Sequence, residues 1–227
     1  ALFFNTRFNN KNELIKNIYT KNYTKVKDMK GFKKSITSEL QRKGYGKENL
    51  QKLELEKLVL LSADIVSDRL NYYYIITLDS NKENLAEIKD NEIITFDGKK
   101  ITGKEFKSIA KNDPQKISDF AKNESDRIDS KYIDEIYTEG KAVWRHYAVL
   151  ESYVYNILAE EAGIKNSKME TIFVPNTFFS TANHAWNIFL YKDAGYKIRF
   201  TAIDPTFFDS TIDNLSAFVP NHYSTYI

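Results

Sequence analysis

Two short words in the C-terminal third hold the side chains with the plainest chemical use, Asn183-His184-Ala185-Trp186-Asn187 and Ala202-Ile203-Asp204-Pro205-Thr206. An imidazole backed by a carboxylate can take and return a proton, the carboxylate fixing the tautomer and orientation of the ring. Such a pair needs something to activate, and the chain contains no cysteine. That absence excludes disulfides, thiolate metal sites and thiol catalysis, and leaves the redox compartment open. Ser180 and Thr181 lie just before His184 on the same segment and have no obvious path to serve as its nucleophile. His146 reads as an exposed helix residue and His222 as part of a C-terminal tail. Three scattered histidines lack the spacing of a metal site. No glycine-rich phosphate loop appears, so no metal and no cofactor are expected.

The positions of His184 and Asp204 follow from a hairpin. Two aromatic and β-branched runs flank Asp193-Ala194-Gly195, which reads as a three-residue loop ending in glycine. With Lys192 and Tyr196 flanking that loop, Leu190 faces Ile198, Ile188 faces Phe200, Trp186 faces Ala202 and His184 faces Asp204. Directly paired side chains have Cβ atoms about 4.5–5.5 Å apart, close enough for a carboxylate to reach an imidazole. The alternate face carries Asn187, Tyr191, Lys197, Arg199 and Thr201 and reads as the wetter one.

The preceding segment, KAVWRHYAVLESYVYNILAEEAGI from Lys141, is a helix by its periodicity. Val143, Tyr147, Leu150, Val154 and Ile157 form one stripe. Gly163 is placed as its C-terminal cap, and Gly140 permits a tight entry.

Read together, these words resemble the transglutaminase-like (papain-like) superfamily. There a glycine and a short gap precede a cysteine followed by Arg-Asp-Tyr-Ala or a close variant at the start of a long helix. The histidine stands on a strand as His-x-Trp, and the acid opens an Asp-Pro word on the next strand. In this chain Arg145, His146, Tyr147 and Ala148 fill the positions after the cysteine, and Trp144 fills the cysteine position itself. The resemblance covers residues 135–210. It implies a helix packed on an antiparallel sheet, a vestigial His184–Asp204 pair, and a nucleophile position occupied by an indole with no ionisable nucleophile. It also implies that Trp144, Tyr147, Trp186 and Asn187 line the former pocket, for binding a protein, peptide or cell-wall ligand without turnover. The alternative is an active amidase, peptidase or acyltransferase that uses another nucleophile or whose cysteine has been replaced. A third reading makes the chain a scaffold that assembles through its N-terminal region.

The rest of the chain reads as support. Residues 1–127 are expected to be a mainly helical region and 128–227 the transglutaminase-like core, α+β overall. Helical patterns cover Asn12–Lys27, Gly31–Lys43, Glu48–Leu70 and Lys104–Lys111, and Pro114 opens another. Tyr72–Leu78 reads as a strand or a helix end, and Asp97-Gly98 after Ile93–Phe96 signals a hairpin. The polar stretch Lys122–Ser130 suggests a boundary. Strands are expected at Thr171–Val174, His184–Tyr191 and Tyr196–Ile203, with loop and an edge strand after Asp209.

Composition is that of a globular protein, 42% hydrophobic and 28% charged. The 33 basic and 31 acidic residues are well mixed, which gives no pointer to nucleic acid. No apolar run approaches the roughly 18–20 residues of a membrane span. Abundant Lys, Asn and Ile suggest an AT-rich bacterial genome. The start at Ala1 suggests a removed signal or lipoprotein leader and an extracytoplasmic location, or else an artificial start. The sequence does not specify an oligomeric state.

Overall fold

The structure is a computed structural model and describes residues 20–78, 82–174, 184–192 and 197–203. After a 3-10 turn at Asn22–Thr24 come helices α1 (Met29–Arg42), α2 (Lys47–Leu50) and α3 (Leu55–Arg69). Strand β1 (Asn71–Tyr72), two further 3-10 turns (Tyr74–Thr77 and Lys82–Glu87) and the hairpin β2 (Ile93–Phe96) and β3 (Lys99–Thr102) follow. Next are α4 (Gly103–Asn112), α5 (Pro114–Asp129), α6 (Ile133–Glu139), strand β4 (Lys141–Ala142) and α7 (Trp144–Glu161). Strands β5 (Ser167–Val174), β6 (His184–Lys192) and β7 (Ile198–Ile203) form an antiparallel sheet in the order β5-β6-β7. The chain is therefore α+β.

Local sequence explains most of these elements. In α1, Phe32, Ile36 and Leu40 recur every four residues and are buried, and the Asp28 carboxylate accepts the Gly31 amide at 2.9 Å to cap the helix. In the β2–β3 turn both Asp97 (φ 49°) and Gly98 (φ 75°) are left-handed, the geometry of a two-residue hairpin turn. Thr102 and Glu105 cap α4 reciprocally. Asp113 caps α5 through the Lys116 amide, with Pro114 in the first turn.

Four segments differ from expectation. The helix expected over Glu48–Leu70 is two helices, because buried Leu50 anchors α2 and the chain turns before α3 begins. Tyr72–Leu78 is mostly a 3-10 turn, since its consecutive apolar residues Ile75 and Ile76 are both buried and leave no alternating pattern. The polar stretch Lys122–Ser130 is the second half of α5. It stays helical because Ala121 and Ile128 are buried while Arg127 pairs with Glu124 one turn back. Of the helix expected over Asn12–Lys27, residues 12–19 lie outside the described residues and Asn22–Thr24 is a 3-10 turn instead. The loop and edge strand expected after Asp209 also lie outside the described residues.

Two apolar clusters result. The larger joins α1, α3, α6, α7 and the sheet, so it draws on both sides of the expected 127/128 boundary. The smaller joins Ile75, Ile76, Phe96, Phe106, Ile117 and Val143. They meet at the start of α7, where Tyr72 and Trp144 pack against both.

The chain reaches α7 through a constrained corner. β1 and β4 pair in parallel, Asn71 with Lys141, which ties the end of α3 to the entry of α7. Gly140 closes α6 in the left-handed region (φ 77°), and a Cβ there would lie 3.1 Å from the Arg69 carbonyl. Gly163 (φ 73°) ends α7 in a Schellman motif, with Gly163 N–H to Glu160 O at 3.0 Å and Ile164 N–H to Ala159 O at 2.8 Å. A Cβ on Gly163 would meet open space. Gly163→Ala should therefore cost only the backbone term, about 1–2 kcal/mol. Gly140→Ala should cost clearly more, because it adds a contact with backbone, and urea denaturation of the two variants will rank them.

Candidate functional site

The α7 N-terminus is where the resemblance puts its nucleophile, and Trp144 is the first residue of that helix. Trp144 is half-buried at the seam of the two clusters. Val143 precedes it in extended conformation and has no polar side chain with which to cap the helix. The cap comes instead from the third helical residue. The Val143 amide donates to His146 Nδ1 at 3.2 Å, while the His146 amide donates to the Val143 carbonyl at 2.8 Å. His146 thus performs the role that Glu or Gln has in a capping box.

The sequence predicts an exposed His146, and the side chain is fully buried. With Nδ1 accepting from an amide, the proton resides on Nε2, which donates to Asp129 Oδ1 at 3.0 Å. The same oxygen accepts from Arg145 Nε at 3.0 Å and Nη2 at 2.8 Å, and Nη2 also donates to Ser125 Oγ at 3.2 Å. The Arg145 guanidinium lies 5.6 Å from the Trp144 ring and 6.0 Å from the Tyr23 ring. Tyr23 meets the imidazole edge-on, with ring centroids 5.0 Å apart.

Burial pushes the His146 imidazole down to about 4, and Arg145 adds to the lowering against the pull of Asp129. Burial alone would raise Asp129, but the hydrogen bond from His146 and the charge of Arg145 hold it below the usual carboxylate range. At neutral pH the His146–Asp129 contact is therefore a hydrogen bond from a neutral ring, and the charge partner of Asp129 is Arg145. Burial, with Asp129 adding to it, also raises the Tyr23 phenol. Both nitrogens of His146 are engaged and the ring is closed to solvent, so this cluster holds a fold together rather than moving protons.

The sheet lies against α7. Thr171 Oγ1 donates to the Ala148 carbonyl at 3.1 Å. Asn156 makes a two-way bond with the Met169 backbone at 2.9 and 3.1 Å, and the Tyr155 hydroxyl and Ser167 Oγ are 2.6 Å apart. α7 therefore runs against the direction of β5. Its N-terminus lies toward the end of the sheet where Val174 pairs with His184 at the start of β6.

The hairpin register and the buried face both differ from expectation. Lys192 pairs with Ile198, Leu190 with Phe200 and Ile188 with Ala202, two residues on from the expected pairs. The connection spans five residues, 193–197, rather than three, so the strands meet one step later. Because the offset is two, the residues that share a face are unchanged. The described pairs do not, however, carry the direct opposition of His184 and Asp204 that a three-residue loop would give. Asp204, like Ser180, Thr181 and His222, lies outside the described residues.

The face on α7 is the odd-numbered one, with Met169, Phe173, Ala185, Asn187 and Phe189 buried. Apolar content alone assigns that parity to water. The even positions Ile172 and Ile198 are 39% and 74% exposed. The cause is a polar partner on the helix. Glu151 is fully buried in mid-helix and accepts from Asn187 Nδ2 at 2.7 Å, and Asn187 Oδ1 lies 3.0 Å from Thr171 Oγ1, whose one proton is shared between that oxygen and the Ala148 carbonyl.

Of the residues expected to line a pocket, Tyr147 and Asn187 are thus fully buried, engaged within the core rather than lining an accessible surface. The side chains of His184 and Trp186 lie outside the described residues. Asp129, Glu151 and Tyr23 are absent from the sequence-based expectation. Glu151 does carry a signal in the sequence, being a charged residue inside a helix that is apolar on nearly every side. Among the described residues no group of three or more His, Asp or Glu could hold a metal, and no helix is long and apolar enough to cross a membrane. Comparison with family models, curated proteins and solved structures gives no match.

The Glu151–Asn187 contact makes a strong prediction. Asn187→Leu removes a donor from a buried carboxylate and should cost about 2–3 kcal/mol. Replacing both residues, Glu151→Leu with Asn187→Leu, should recover most of that loss, since an apolar pair of similar size needs no donor. A double-mutant cycle by urea denaturation reads both quantities.

Proposed function

We propose that the chain is a transglutaminase-like protein without catalytic activity, which binds a protein, peptide or cell-wall ligand at the N-terminus of α7. The observation that carries this reading is the placement of Trp144 as the first residue of a helix packed on an antiparallel sheet. A thiol at such a position gains from the helix dipole and the exposed amides. An indole there has no electron pair to offer a carbonyl at any useful pH, and no cysteine stands elsewhere in the chain. His184 at the start of β6 and Asp204 after β7 are on this reading remnants of the base and the acid, in a register that no longer sets them in direct opposition. Half-buried Trp144, with Arg145 over its ring, is the contact for a ligand.

Loss of the nucleophile from such a unit costs several orders of magnitude in rate. The unmodified chain should therefore release no ammonia from a glutaminyl peptide and crosslink no amine above background. Trp144→Ala should weaken co-sedimentation with purified peptidoglycan, or retention on immobilised glutaminyl peptide, about tenfold or more. Turnover by the unmodified chain that disappears in His184→Ala would sink the reading.

A further inference from the structure

We propose that His146 is an acid-released latch, whose protonation displaces the Val143 amide and uncaps the first turn of α7 at Trp144, while the Asp129 contacts to α5 and the remainder of the fold stand. The geometry leaves a second proton no place. Nδ1 is occupied by the Val143 amide and Nε2–H by the Asp129 carboxylate. A proton on Nδ1 sets two donors face to face, so the Val143 amide must be displaced and the helix loses its cap. The new cation would also sit at a helix N-terminus, where the dipole opposes positive charge.

The charged and titratable groups around the ring are Asp129 from α5, Arg145 from its own helix and Tyr23 from the 3-10 turn, with Ser125 completing the contact to α5. Asp129 favours the protonated ring, but Arg145 already contributes two of the bonds to the same oxygen. The phenol of Tyr23 stays neutral through the acid range, its own value being raised. The ring's proton affinity is lower in the folded protein than in the open chain. Stability linked to it is therefore present at neutral pH and is lost as pH falls from about 6.5 toward 4. The linked stability of Asp129 is lost only lower, as pH falls through its depressed value. The intermediate window belongs to His146.

The loss is local because the held parts are local. The cap lies at the first turn of α7, which Arg145 still ties to Asp129, whereas Glu151, Asn156 and the sheet contacts lie further along the helix. Trp144 shares that first turn and reports on it.

The test uses the full chain carrying Trp186→Phe, which leaves Trp144 as its single tryptophan. Acrylamide quenching of Trp144 should rise about threefold between about pH 7 and about pH 4.5 while far-UV circular dichroism is retained. In the same background His146→Gln should stay flat, since its amide oxygen can accept from Val143 and its NH2 can donate to Asp129 without titrating. Should that variant not fold, the imidazole nitrogen shifts of the parent, followed by NMR, must titrate together with Trp144 exposure. No rise in the parent, an equal rise in the glutamine variant, exposure coinciding with global unfolding, or ring titration without exposure each overturns the proposal.

Discussion

The burial of α7 on almost every side is the constraint to which the rest of the structure answers. A helix at a protein surface can leave its first amides and its polar side chains to water. α7 has α3 along one flank, α6 and the β4 entry at its start and the sheet across another face. His146, Glu151 and Ser152 are buried with it, so each polar group must find a partner in the protein. His146 takes Asp129 from α5, Glu151 takes Asn187 from the sheet, and Ser152 turns back to the Val149 carbonyl at 3.1 Å.

This constraint also explains why the two apolar clusters meet where they do. Asp129 is the last residue of α5, a helix that joins the smaller cluster through Ile117 and Ala121 and the larger one through Ile128. Its bond to His146 and the buried Ile128 hold the end of that helix onto the start of α7, and Tyr72 and Trp144 are the apolar contacts across the seam. On the other side, Arg69 at the end of α3 donates to the Tyr137 and Thr138 carbonyls at 2.8 Å each and closes the C-terminus of α6. The parallel pairing of β1 with β4 completes the corner. The half-buried position of Trp144 thus follows from polar contacts made by its neighbours more than from its own apolar area.

How much of this is legible in the sequence depends on whether the signal is local. The Asp97-Gly98 hairpin, the Gly163 cap and the stripe Val143, Tyr147, Leu150, Val154 and Ile157 each rest on residues close in sequence, and each is present as expected. The face of the sheet is misread when apolar content alone decides burial. By that measure Ile188 and Leu190 outrank Asn187, yet Asn187 is the fully buried one, because a carboxylate on another element needs its amide. His146 is misread for a related reason. It lies three residues after Val143 and four before Leu150, on the buried stripe, but its polar character argues for solvent. The partner that reverses this expectation, Asp129, belongs to a different helix, and no spacing rule reaches it. The hairpin register fails on loop length, which the strands alone do not specify.

These polar contacts do more than satisfy their own donors and acceptors. Apolar packing is non-directional, so the faces of α7 and the sheet would tolerate small slides and rotations with little change in buried area. Three contacts remove that freedom, each along a different coordinate. Asn156 grips both the N–H and the carbonyl of Met169 on β5, an edge strand of the described sheet, and so fixes the position of the helix along that strand. Glu151 and Asn187 fix which face of β6 turns inward, and a slip of one residue would bury the opposite set. His146 and Asp129 fix the start of the helix against α5. The His146 ring, whose proton affinity burial lowers, is the contact proposed to yield in acid, so the start of α7 is the end whose placement depends on pH. The same turn carries Trp144. Whatever approaches that indole meets a surface held in place by a neutral ring within the same turn.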